Sequence, residues 1–458
     1  MLPRNSCTAV AVVVKRGFAS ASPAQKPQTS YTVKRTDQEY RTTRLPNGLL
    51  VSSVDLGGGC SRLAFAFRAG SRYESPSNAG VTHRLRNSVG QSSQNAYSDL
   101  ILGTLGSVGA SLSASTTKDL FTVESAVPRD YAELTLKVLS DVSCQPGLKP
   151  WEIEDGHEFM QADNAQWKEN QDAVLVELLH KAAYRNGVLA NPLHSPNHMI
   201  GKHTHHMIEQ FVESRLLSGE CALLGVNIEH STLLSFAADY QDVVTRGEAP
   251  KQDPAKYLGG EQRSETGGPL AHVILAGNSA GYNDTKTMVT GFVLASALGG
   301  GGHVKWGGGH SAVYQAATQA SGGAPFSLSP VVATHSDSGL AGIRCSAVAD
   351  KMHPILTAVI AECKKIGTKG LDQTQLNGAR ARAKANVLMR SEDSAAVLED
   401  LASGALAAGM PAYPSDVAEL IDGVSLSDLN KAVQSFASGK LTLAALGNLH
   451  WTPYLDEL

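Results

Sequence analysis

No aspartate or glutamate occurs before Asp37, yet the same stretch carries Arg4, Lys15, Arg16, Lys26, Lys34 and Arg35. An acid-free start with arginine, serine and a basic helical face is the composition of a mitochondrial targeting segment. Arg16-Gly17-Phe18-Ala19-Ser20 offers a cleavage site with arginine three residues before the cut, so residues 1–18 are expected to be removed. Their loss takes away Arg4, Lys15 and Arg16 and no acid, moving the net charge from −4 to −7. The chain also lacks any apolar run near the ~18 residues of a membrane helix; the longest near the start is Thr8 to Val14. It has no basic block, which argues against a nucleic-acid surface. Its six cysteines, Cys7, Cys60, Cys144, Cys221, Cys345 and Cys363, contain no C-x-x-C pair. That spacing excludes a zinc knuckle and a redox pair, leaving small hydrophobes in a reducing compartment. The glycine-rich stretch 299–311 (GGGGHVKWGGGHS) lacks the G-K-[ST] of a phosphate loop and reads as a surface loop.

What is present is a repeat. STTKDLFTVESAV (115–127) and SDSGLAGIRCSAV (336–348) lie 221 residues apart, as do LTLKVL (134–139) and ILTAVI (355–360). Val212-Glu213-Ser214 and Val433-Gln434-Ser435 share the offset. Three matches in one order at one spacing imply two copies of one domain. A chain of 458 residues exceeds what one core usually serves. The boundaries read as 36–245 and 269–458, with the Gly-, Lys-, Glu- and Pro-bearing stretch 246–268 as linker.

Each copy mixes strands and helices, an α+β class in which two mixed β-sheets packed with helices face each other across a cleft. Thr42 to Asp55 is a Pro-Asn-Gly turn followed by a strand, and 61–69 is expected to pair with it. The repeated LFTVESAV and GIRCSAV are strands, and 221–226 and 441–446 close each half. Helices are expected near 131–142, 173–184 and 352–366, and after Pro150, a good first-turn residue.

A further helix is predicted over 79–89, with Asn78 as N-cap and Val81, Leu85 and Val89 as its buried stripe. The opposite face would present His83, Arg86, Asn87 and Gly90. Positions i, i+3 and i+4 can meet one metal ion. His203-Thr204-His205-His206 reads instead as a solvated helix start capped by Thr204. His194 and His198 are split by Pro196 and read as structural.

His83-Arg84-Leu85-Arg86-Asn87 resembles the inverted zinc motif H-x-x-E-H of the pitrilysin-type metallopeptidases. The first ligand is kept; the general-base glutamate has become Arg86 and the second histidine Asn87. That family takes a third ligand, a glutamate, from a later helix. Aligning 179–186 (LHKAAYRN) places the position at Asp163. The resemblance therefore implies the family's fold without its zinc: no metal, no cofactor and no peptidase activity. Longer stretches, LHKAAYRNGVLANPLHSP (179–196), YLGGEQR (257–263), HSDSGLAGI (335–343) and GNLHWTPYLDEL (447–458), are similar to the core subunits of respiratory complex III. This implies a peripheral, matrix-side subunit of the inner membrane that serves assembly. Its implied neighbours are core protein 1, cytochrome b, cytochrome c1 and the Rieske protein, in a homodimeric complex. The cleaved Rieske presequence is a candidate occupant of the cavity. The alternative is a presequence-binding, non-cutting subunit of the mitochondrial processing peptidase.

Overall fold

The computed structural model describes residues 40–240, 243–250, 252–299, 311–409 and 413–458. The targeting segment, Cys7 and most of the glycine-rich stretch lie outside them. The first half runs β1 (Arg41–Arg44), β2 (Leu50–Val54), β3 (Cys60–Phe67), α1 (Val81–Asn87), α2 (Ser98–Ser107), β4 (Ser111–Thr116), β5 (Phe121–Pro128) and α3 (Ala132–Cys144). It continues through α4 (Pro150–Glu169), α5 (Gln171–Tyr184), α6 (His205–Arg215), β6 (Cys221–Val226) and α7 (His230–Asp239). The second half runs β7 (Gly260–Glu265), β8 (Leu270–Ser279), α8 (Thr285–Leu298), α9 (Ala312–Ser321), β9 (Phe326–Thr334), β10 (Gly339–Val348) and α10 (Ala349–Lys369). Then come α11 (Gln373–Arg390), α12 (Ser394–Ser403), α13 (Pro414–Gly423), α14 (Leu426–Ser438) and β11 (Thr442–Gly447).

The sheets are built alike, in the orders β1-β2-β6-β3-β5-β4 and β7-β11-β8-β10-β9. In each, the closing strand lies parallel to one neighbour, β2 or β7, and antiparallel to the other, β3 or β8. β6 and β11 begin and end 221 residues apart, at 221 and 442 and at 226 and 447, which is the sequence offset. Two expectations need correction. The strand at 60–67 does not pair with β2, because β6 inserts between them. The stretch 246–268 is also not all connector, since β7 lies within it and pairs with β11.

Each sheet buries one face against helices of its own half. Leu63, Phe65, Phe121, Val123 and Leu223 meet Val81, Leu85, Leu136 and Phe211 in the first half. Leu275, Ile343 and Leu443 meet Val293, Leu356, Val359 and Leu429 in the second. The other faces are covered by exchange. α12 of the second half lays Val397, Leu398 and Leu401 on Ala64, Ala66, Leu224 and Val226 of the first sheet. α5 of the first half lays Leu175, Leu179 and Tyr184 on Ile274, Leu340, Ala444 and Leu446 of the second. Strands buried on both faces read as continuous apolar runs, which is why ALLGV (222–226) and LAAL (443–446) show no alternation. Past α12 the chain makes one π-helical turn, 404–408, whose Leu406 carbonyl accepts from Arg68 Nε at 2.8 Å.

Candidate metal centre

The predicted helix 79–89 is shorter than expected and capped differently. α1 spans Val81–Asn87, and its N-cap is Gly80 at φ 84°, a left-handed conformation. A Cβ there would stand 2.5 Å from Ser195 Cα, so only glycine fits. Asn78 instead closes the turn before it, accepting from Ser75 N at 2.7 Å. The free N–H groups of α1 are taken by a distant side chain. Glu74 accepts from Gly80 N at 2.7 Å, Thr82 N at 2.9 Å and Thr82 Oγ1. Burial pushes the Glu74 carboxyl up to about 7 despite those bonds. Arg84 is fully buried and donates to the carbonyls of Glu152 and Ile153 at 3.0 Å, bolting α1 to the start of α4. Gly156 leaves the room, because a Cβ there would stand 2.4 Å from Arg84 Nη2.

This bolt sets the expected site residues together. His83, Arg86 and Asn87 come from α1 and Asp163 from α4. His83 is wholly buried rather than presented to solvent. Its Nε2 lies 2.8 Å from Asp163 Oδ2, while its Nδ1 accepts the Ser195 backbone N–H at 3.1 Å. A ring whose Nδ1 accepts must carry its proton on Nε2, so Nε2 donates to Asp163. Arg86 also donates to Asp163, and to His194 Nε2 at 3.2 Å. Asn87 turns its amide to the His83 carbonyl at 3.0 Å. Gly90 lies beyond the helix end and takes no part.

His194, read as structural, stands beside this group. Its ring centroid is 4.8 Å from that of His83 and 4.8 Å from Trp167, on which it stacks. Donor atoms of His83, Asp163 and His194 all lie within 4.8 Å of one another. No local signal marks it; it lies 108 residues from Arg86, and only the fold joins them. His203 also differs from expectation. It is buried, with Nε2 3.0 Å from the Ala79 carbonyl, whereas His206 is exposed as read and Thr204 caps α6.

Burial drives both site histidines down to about 4, with Arg86 adding to the effect. Burial raises the Asp163 carboxyl, but the His83 bond and the Arg86 charge outweigh it and hold it below the carboxylate range. The residues do not fit zinc. Metal-bound histidines donate their second N–H outward, which frees the other nitrogen to ligate. Here that polarity is reversed at His83, and a guanidinium fills the space between Asp163 and His194. The surrounding cleft of about 800 Å³ is lined by Arg86, Asn87, Phe159, Asp163, Trp167 and His194. A separate cleft of about 370 Å³ between α8 and α14, lined in part by Lys286 and Asp428, contains none of these residues.

Residues 50–197 match the model for the insulinase family of peptidases, M16, and residues 203–383 match that for the M16 inactive domain. Human "Cytochrome b-c1 complex subunit 2, mitochondrial" is 34% identical over 447 residues, covering 96% of this chain and 95% of the relative. Its Mus musculus counterpart is 33% identical over 446 residues, covering 96% and 97%. "Probable mitochondrial-processing peptidase subunit alpha-1, mitochondrial" of Arabidopsis thaliana is 25% identical over 424 residues, covering 92% and 84%.

Proposed function

Because the chain belongs to the M16 peptidase family with its metal-binding helix rewritten, we propose that it is core protein 2, a non-catalytic core subunit of the mitochondrial cytochrome b-c1 complex (complex III). It serves the assembly and stability of the complex that passes electrons from ubiquinol to cytochrome c. The observation that carries the loss of catalysis is Arg86, bound to Asp163 and His194 where a peptidase needs a cation and a base. A general-base carboxylate cannot be replaced by a guanidinium, which has no acceptor.

No helix among the described residues is long and apolar enough to cross a membrane. We propose that the chain sits on the inner membrane by association, on the matrix side. Its partners are core protein 1 and, within a homodimeric complex, cytochrome b, cytochrome c1 and the Rieske subunit. The cleaved Rieske presequence is the proposed occupant of a cavity formed with core protein 1. No haem, quinone or iron–sulfur chemistry is assigned to this chain. We further propose the boundaries 1–18 for the presequence, 36–245 for the first domain, 260–458 for the second with β7 included, and 246–259 for their connection.

The test is a deletion strain analysed by native electrophoresis. Loss of the chain should lower assembled complex III and its haem absorbance while precursor processing continues. Normal complex III with accumulating precursors would assign the chain to the processing peptidase instead, the reading its 25% identical relatives represent.

A further inference from the structure

The two halves meet through equivalent hairpin turns. Residues 117–120 join β4 to β5, and residues 335–338 join β9 to β10. Each turn is closed by the same backbone bond, Thr117 N to Leu120 O at 2.8 Å and His335 N to Ser338 O at 2.8 Å. The third residue of each is an aspartate, Asp119 or Asp337. Arg72, 3% exposed, holds both, at 2.6 Å and 3.0 Å. Ser336 Oγ donates to Asp119 at 3.0 Å, and Tyr184 OH lies 2.9 Å from Ser338 Oγ. One guanidinium against two carboxylates leaves a negative charge between the halves, where an uncompensated ion is costly.

The histidines beside it supply the answer. His180 Nδ1 lies 2.8 Å from the Val176 carbonyl, His180 Nε2 lies 2.9 Å from His335 Nε2, and His335 Nδ1 lies 3.3 Å from Asp119 Oδ2. The carbonyl and the carboxylate can only accept. Each end of the chain therefore requires an N–H, and the nitrogen-to-nitrogen contact requires a third. Two neutral imidazoles carry only two. We propose that the His180–His335 pair holds one extra proton, resting on His335 against Asp119, and that this proton closes the charge between the halves to zero. Arg72 and the histidine pair then balance Asp119 and Asp337, while the neighbouring Lys118 is paired with Glu177 at 2.9 Å.

Placement on His335 follows from its neighbours. His180 is buried and faces Lys118 as well as His335, and its basicity is pushed well down by burial first and those charges next. Asp119 is raised by burial, but the His335 bond and Arg72 prevail and hold it far below the carboxylate range. Other titratable groups nearby among the described residues are Glu74, which faces Lys118, and the rings of Tyr73, Tyr184, Tyr257 and Tyr282.

Ring ¹⁵N spectroscopy of the full chain tests this directly. With histidine-selective labelling, and assignment by His180→Gln and His335→Gln, three of the four ring nitrogens should show protonated shifts near neutral pH. Two protonated nitrogens would overturn the proposal. Asp119→Asn removes the charge that retains the proton, so the pair should revert to two N–H groups in that variant. Persistence of the third N–H there would also overturn it, since the carboxylate would then not be its anchor.

Discussion

Arg86 does at the α1–α4 junction what an ion does in a metallopeptidase: it gathers Asp163 and His194 around a positive charge. Restoring ligands by Asn87→His with Asp163→Glu should therefore not give tight zinc binding. A guanidinium about 5 Å from a divalent ion is repelled by about 6–7 kcal/mol at an effective dielectric near 20. Arg86 keeps about a fifth of its side chain in solvent, so screening lowers the figure. Even a third of it costs more than tenfold in affinity. Adding Arg86→Glu should raise zinc affinity above that of the double variant, read by calorimetric titration. Equal affinities would mean that the guanidinium leaves the site when a metal arrives. His83, Arg86, Asn87 and Asp163 were legible because a motif spacing survives even where its residues do not. His194 was not: Pro196 rules out a helical pairing with His198, and local geometry says nothing about a partner on another element.

At the scale of elements, the start of α1 depends on Glu74 rather than on a neighbouring cap. Its folded carboxyl is raised to about 7 by burial, against an ordinary value of 4.5. The folded state therefore holds a proton that the unfolded state has released between those values. Stability from this group is full below about pH 4.5 and is lost as pH rises through about 7, by about 3 kcal/mol. Glu74→Gln should flatten that decline. Chemical unfolding from pH 5 to 8 checks it: the difference between wild type and variant must change with pH, and a constant offset would refute the assignment. Gly80→Ala should destabilise at any pH, because its φ is left-handed and Ser195 occupies the space. Helix interiors were readable from apolar spacing, as at Val81 and Leu85. The cap was not, since Glu74 precedes the helix by a turn that pattern alone does not fold back. Strand order failed likewise: local alternation identifies β2 and β3, but cannot reveal that a strand 150 residues later comes between them.

At the scale of the molecule, α5 and α12 make each half incomplete without the other. Residues 40–245 or 246–458 expressed alone should be insoluble, and co-expression should recover a soluble pair. A folded, monomeric first half would contradict the exchange. Leu179→Ala and Leu401→Ala, both fully buried in the exchanged helices, should each cost about 2–5 kcal/mol. Calorimetry should show one unfolding transition for wild type, as both cores are lost together. The duplication was legible from three matches at one offset, and it correctly gave two like sheets. The exchange was invisible, because a helix that is apolar on one face carries no label for the sheet it will cover.

That exchange has a consequence for the chain in the order in which it is made. The first sheet is complete once β6 has emerged, yet Ala64, Leu224 and Val226 wait for Leu398 and Leu401, which come much later. At synthesis rates of about 5–20 residues per second, the wait is on the order of ten to forty seconds. During it, an apolar face with finished strands stands open to water. A nascent first half should thus be a client of holding chaperones until the second half arrives, and ribosome-bound chains halted between β6 and α12 should bind them more strongly than chains halted after Leu406.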